Sequence, residues 1–95
     1  MYSVQDVKTL LKPVMKEYGI KSAILFGSIA KNTATEKSDV DILVNSGLKG
    51  IAFYGLFDAI VEKLKTKVDL IDLSQIEHGS RIEQEIKKTG VQIYG

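Results

Sequence analysis

Leu25-Phe26-Gly27-Ser28 and, after ten intervening residues, Asp39-Val40-Asp41-Ile42-Leu43-Val44 decide how this chain is read. Ala23 to Phe26 is a short apolar run without a 3.6-residue period, which reads as a buried strand ended by Gly27-Ser28. The second segment alternates. A strand repeats every two residues, so Asp39, Asp41 and Leu43 share one face and Val40, Ile42 and Val44 the other. Two carboxylates on one face of a half-buried strand must be paired, protonated or bound to a cation. Residues i and i+2 of a strand stand roughly 6.5–7 Å apart at Cα, so both carboxylates can converge on one divalent ion.

Outward from these two strands the chain reads as alternating helices and strands. Ser3 followed by Asp6 resembles a capping box. Val4, Val7, Leu10, Leu11, Val14 and Met15 then recur at helical spacing up to a stop at Gly19. Pro13 inside this pattern predicts a kink or a division of the helix. Ile29 to Asn32 reads as a helical turn and Thr33 to Lys37 as a polar loop. Ile51 to Leu64 is the strongest helix, with Phe53, Phe57, Ile60, Val61 and Leu64 as its stripe, widened by Ile51, Tyr54 and Leu56. Lys67 to Leu73 reads as a third strand carrying Asp69 and Asp72, the latter leading a turn. Ser80-Arg81-Ile82-Glu83 is a second capping box, opening a helix that Gly90 ends, and Val91 to Tyr94 reads as a last edge strand. The order helix, strand, strand, helix, strand, helix, strand predicts an α+β fold: one small mixed β-sheet with helices packed mainly on one face.

Composition sets the outer bounds. Ninety-five residues make a single domain, 1–95, with room for one modest core. A net charge of +1 argues against a strong electrostatic grip on a nucleic-acid duplex. The chain has no cysteine, so disulfide, zinc-thiolate and thiol chemistry are excluded. No apolar stretch approaches the ~20 residues of a membrane helix. Met1 to Leu11 does not read as a signal peptide, because Asp6 and Lys8 interrupt it, and a cytoplasmic location is expected.

Three features carry chemistry. Gly27 has no Cβ, so a phosphate can lie against its backbone, and the Ser28 hydroxyl and the amides that follow can donate to it. The Gly-Lys-Ser/Thr ending of a P-loop is missing. Asp39 and Asp41 are hard oxygen donors suited to Mg²⁺, whose octahedron phosphates and waters complete. Asp69, flanked by Val68 and Leu70, joins them if its strand pairs with theirs, and would then hold the metal or act as a general base. Gly27, Ser28, Lys31 and Ser38 form the candidate nucleotide-binding set, and Lys31 and Lys37 flank the phosphate position. A salt-bridged structural role for Asp69 and a solvated-loop role for the lysines are the plain alternatives. His78 and Arg81 read as surface, and the Phe53, Tyr54, Phe57 cluster reads as core, with part of it as a partner surface the alternative.

The combination Phe26-Gly27-Ser28, ten residues, Asp39-Val40-Asp41-Ile42 and a later strand aspartate resembles the DNA polymerase β-like nucleotidyltransferase superfamily. The wording "ILFGSIAKNTATEKSDVDILV" together with Val68 to Ile71 is similar to its minimal nucleotidyltransferase (MNT) branch. The resemblance implies a palm-like domain in which Ser28 contacts the triphosphate, Asp39 and Asp41 bind Mg²⁺, and Asp69 completes the triad. It further implies a prokaryotic antitoxin beside a helical HEPN-type toxin, moving AMP from ATP to a toxin tyrosine, binding the toxin in a hetero-oligomer, or both. The branch commonly has Arg-Gly where this chain has Lys31-Asn32. Lysine keeps the charge without bidentate geometry, and Asn32 can still accept a left-handed turn. Two other readings stand beside it: a binding module without chemistry, and a transferase acting on a small molecule or an RNA end.

Overall fold

The computed structural model describes residues 2–35 and 38–95, so the part of the expected polar loop at Glu36 and Lys37, including the candidate cation Lys37, lies outside the described residues. Helix α1 (Val4–Glu17) opens through a reciprocal cap: Ser3 Oγ accepts the Asp6 N–H and the Asp6 carboxylate accepts the Ser3 N–H. It runs unbroken through Pro13, so of the expected kink or division the division does not occur. Pro13 and Thr9, whose carbonyl loses its partner, are both exposed, so water can replace the missing N–H. Val7, Leu11, Val14 and Met15 form its buried stripe.

Strands β1 (Ser22–Phe26) and β2 (Val40–Asn45) pair antiparallel, with Leu25 opposite Ile42 and Phe26 opposite Asp41. Strand β2 begins one residue later than the sequence predicts, leaving Asp39 just before it. Helix α2 (Ile51–Leu64) carries the chain across to β3 (Val68–Asp72), which pairs with β2 in parallel. A 3₁₀ turn (Leu73–Gln75) follows, then α3 (Arg81–Thr89) and β4 (Val91–Tyr94). Strand β4 returns antiparallel beside β1, giving the order β3-β2-β1-β4. The second capping box is half formed. Ser80 Oγ accepts the Glu83 N–H, whereas the Glu83 carboxylate takes the N–H of Gly79 rather than of Ser80.

The core lies on one face of the sheet. Ala23, Leu25, Val40, Ile42, Val44 and Ile93 meet the stripe of α1 and the Leu56, Ile60, Leu64 seam of α2. Full burial of such side chains is worth ~1.5–3 kcal/mol each, so this seam anchors α2. The centre of the α2 stripe is shifted from the predicted one. Tyr54 precedes Leu56 by two positions, a rotation of about 200° around the helix, and is therefore carried to the outside. Tyr54 is 64% exposed and Ile51 93% exposed.

At the far end of β2 and β3, Asp72 is buried and binds four donors. Its carboxylate accepts N–H and O–H from Ser46 and from Ser74. Burial pushes the Asp72 carboxyl up, but these hydrogen bonds outweigh burial and hold it at about 2. Asp72 thus ties the loop before α2 to the turn after β3, the turn-leading role read from the sequence.

Candidate active site

The face of the sheet opposite α1 and α2 carries the candidate chemistry. Alternation puts Ile24 and Phe26 of β1, Asp41 and Leu43 of β2, and Asp69 and Ile71 of β3 on it. The register sets Phe26, Asp41 and Asp69 side by side in one row. The pairing on which Asp69's membership depends is therefore present. Asp69 and Asp39 are exposed, and Asp41 is half-buried.

Gly27 follows Phe26 with φ +78°, in the left-handed region that favours glycine. A Cβ at this position would overlap Oδ2 of Asp41, so the bare backbone is what lets the turn and the carboxylate approach each other. Beyond Gly27 the chain makes a tight turn. Lys31 N–H donates to Gly27 O at 3.0 Å and Thr33 N–H to Ser28 O at 2.9 Å. Asn32 closes it with φ +61°, the left-handed conformation expected of this residue. Ile29 is buried and pins the turn to the core, while among the described residues the N–H groups of Ser28, Ile29 and Ala30 have no protein acceptor.

Electrostatics single out Asp41. Burial first, then the charges of Asp69, Asp39 and Glu85, push its carboxyl up to about 6. Among the described residues, the ion pair made by any of these four carboxylates is that of Glu85, whose Oε1 lies 3.5 Å from Lys31 Nζ. Three hard carboxylates in mutual repulsion beside a bare backbone turn are a donor set that suits Mg²⁺. Among the described residues no three His, Asp or Glu side chains gather into a ready-made cage. Mg²⁺ is usually held by one or two carboxylates plus substrate phosphates and waters.

The predicted nucleotide set is only partly assembled. Gly27 and Ser28 adjoin Asp41, and Lys31 lies at the other end of their turn. Ser38 is engaged elsewhere: its Oγ accepts the Thr35 N–H at 2.9 Å and its N–H donates to Thr35 O. It borders a cavity of about 370 Å³ with Tyr2, Ile29, Val40 and Leu64, which none of the three aspartates lines. Two residues of the neighbourhood were not read from the sequence. Glu85 and Thr89 on α3 reach the turn, Thr89 by accepting the Gly27 N–H at 3.1 Å. His78 and Arg81 are exposed, as read.

Residues 8–95 match the family model described as polymerase beta, nucleotidyltransferase. A Methanocaldococcus jannaschii protein provisionally named protein adenylyltransferase MJ0128 is 40% identical over 77 residues, covering 75% of this chain and 79% of its own. A second from the same organism, MJ0126, with the same provisional name, is 32% identical over 94 residues, covering 93% and 95%. Among solved structures, a toxin–antitoxin with AMP-PNP superposes with a TM-score of 0.78 at 26% identity, over 93% of this chain and 73% of that one. A chain of the complex of tri-AMPylated Shewanella oneidensis HEPN toxin with MNT antitoxin superposes with a TM-score of 0.72 at 24% identity, over 97% and 72%, a likeness of fold.

Proposed function

The chain belongs to the polymerase β nucleotidyltransferase family, and from that premise we propose that it transfers AMP from ATP to a protein hydroxyl, with residues 1–95 acting as one transferase domain. The acceptor is a tyrosine of a HEPN-type toxin, which the chain neutralises as a cytoplasmic antitoxin within a hetero-oligomer. The carrying observation is the Asp41–Asp69 row abutting the Gly27–Ser28 turn. The names of the M. jannaschii relatives and the AMP-PNP of the toxin–antitoxin structure support the same reading.

In the reaction, the acceptor oxygen attacks the α-phosphorus, the bond to the β-phosphate breaks, pyrophosphate leaves, and the hydroxyl proton passes to a base. The Ser28 hydroxyl and the N–H groups of Ser28, Ile29 and Ala30 hold phosphate oxygens. Asp39 and Asp41 would hold Mg²⁺, and Asp69 would complete the ligand set or take the acceptor proton. When bound, Mg²⁺ neutralises phosphate charge and lowers the pKa of the attacking hydroxyl. Lys31 offers the triphosphate a point charge at the far end of the turn.

A second reading has its own observation. Ile51 and Tyr54 leave an apolar patch on α2, as a purely binding antitoxin would use. Incubation of labelled ATP, Mg²⁺ and a HEPN-type toxin separates the two. Transfer of label by the wild type and loss of both label and neutralisation in Asp39→Asn/Asp41→Asn is the expected result. Neutralisation retained by the double variant would favour binding alone.

A further inference from the structure

We propose that Thr89 is a positioning residue for the nucleotide turn, holding Gly27 and Ser28 in register with Asp41 from the last turn of α3. This rests on the transferase reading and deepens it. The Gly27 N–H is the first backbone donor beyond β1, and Thr89 Oγ1 accepts it at 3.1 Å. The same hydroxyl donates to Glu85 O at 2.9 Å, so its hydrogen and one of its two lone pairs are committed. One turn earlier on the helix, Glu85 Oε1 lies 3.5 Å from Lys31 Nζ.

The match is between two spacings of four. Gly27 and Lys31 bracket one turn, closed by the Lys31 N–H to Gly27 O bond, and Thr89 and Glu85 bracket one turn of α3. Helix α3 grips both ends. Gly90 makes the approach possible, because a Cβ there would stand 2.9 Å from Ile24 Cγ2 and meet the carbonyl of Ile86. The grip matters because Gly27 already lies against the Asp41 carboxylate, so a small displacement of the turn moves Ser28 relative to that carboxylate. Misplacement of about 1 Å at a reacting group can cost a hundredfold in rate.

The test is calorimetric titration of Mg²⁺-ATP into the full chain. Thr89→Val keeps the side-chain shape without an acceptor, and Thr89→Ser keeps the acceptor. The expected result is a dissociation constant raised about tenfold in Thr89→Val and restored to near wild type in Thr89→Ser, as for a lost positioning bond. The Gly27 amide should exchange faster with solvent in the valine variant alone. Should Thr89→Val fail to fold, Thr89→Ala takes its place. Equal binding by wild type and Thr89→Val, or serine no better than valine, overturns the inference and leaves the transferase reading standing. A wild type that does not bind Mg²⁺-ATP overturns both.

Discussion

Asp41 and Asp72 stand at opposite ends of the same two parallel strands, and their surroundings treat charge in opposite ways. Asp72 pairs with the end of β2 and receives four hydrogen bonds from Ser46 and Ser74, which hold its carboxyl at about 2. Asp41 meets Asp69, Asp39 and Glu85, and burial together with these charges lifts it to about 6. One end of the sheet uses a carboxylate to join loops. The other gathers carboxylates among which, for the described residues, the ion pair of Lys31 with Glu85 is the one formed, and a bound cation would relieve their repulsion.

Exchanging each aspartate for asparagine should break the comparison in opposite directions. Asp41→Asn should lower AMP transfer on the order of a hundredfold or more, in line with losing a charge-stabilising group, while its circular dichroism stays that of the wild type. Wild-type transfer by this variant would contradict the site. Asp72→Asn should lose about 3 kcal/mol of stability, because Ser46 loses a charged acceptor inside the protein. Denaturant unfolding measures it, and an unchanged midpoint would show that the hub is dispensable.

Gly27→Ala sharpens the comparison at the Asp41 end. The new Cβ must adopt φ +78° and overlap Oδ2 of Asp41, for a loss of ~1–3 kcal/mol and weakened Mg²⁺-ATP binding. An alanine variant as stable as wild type would mean that turn and carboxylate stand farther apart than described.

The smallest expected effect is on pH dependence. Asp41 binds its proton more tightly folded than unfolded, between the ordinary 3.8 and about 6. The metal-free protein should therefore lose stability as pH rises through this window, and Asp41→Asn should not. Asp72 has the opposite sign: its contribution is present above 3.8 and disappears as pH falls towards about 2. Solvent screening at half-buried Asp41 makes its slope shallow. Thermal melts of wild type and Asp41→Asn from pH 4 to 7 compare the slopes, and parallel curves would remove Asp41 as their cause.

Much of this was legible because strand alternation and turn residues are local. Asp39, Asp41 and the Gly27 turn lie within one short stretch, and the left-handed Asn32 follows from its own side chain. Asp69 could be named but placed only conditionally, since its position depends on a strand pairing that closes across α2. Glu85 and Thr89 carried no local signal. Their nearness to Gly27 arises because β4 returns beside β1 and Gly90 allows close approach, which no periodicity encodes. The α2 stripe was misjudged by breadth: eight apolar residues cover most of the helix circumference, and only packing against α1 and the sheet selects Leu56, Ile60 and Leu64.

The most direct test of the central claim is a titration of ATP into wild type and Asp41→Asn, each with and without Mg²⁺. Binding by the wild type that requires Mg²⁺ and disappears in Asp41→Asn is the expected result. Equal binding by both proteins, or binding indifferent to Mg²⁺, would contradict the assignment of the carboxylate row to a metal–nucleotide site.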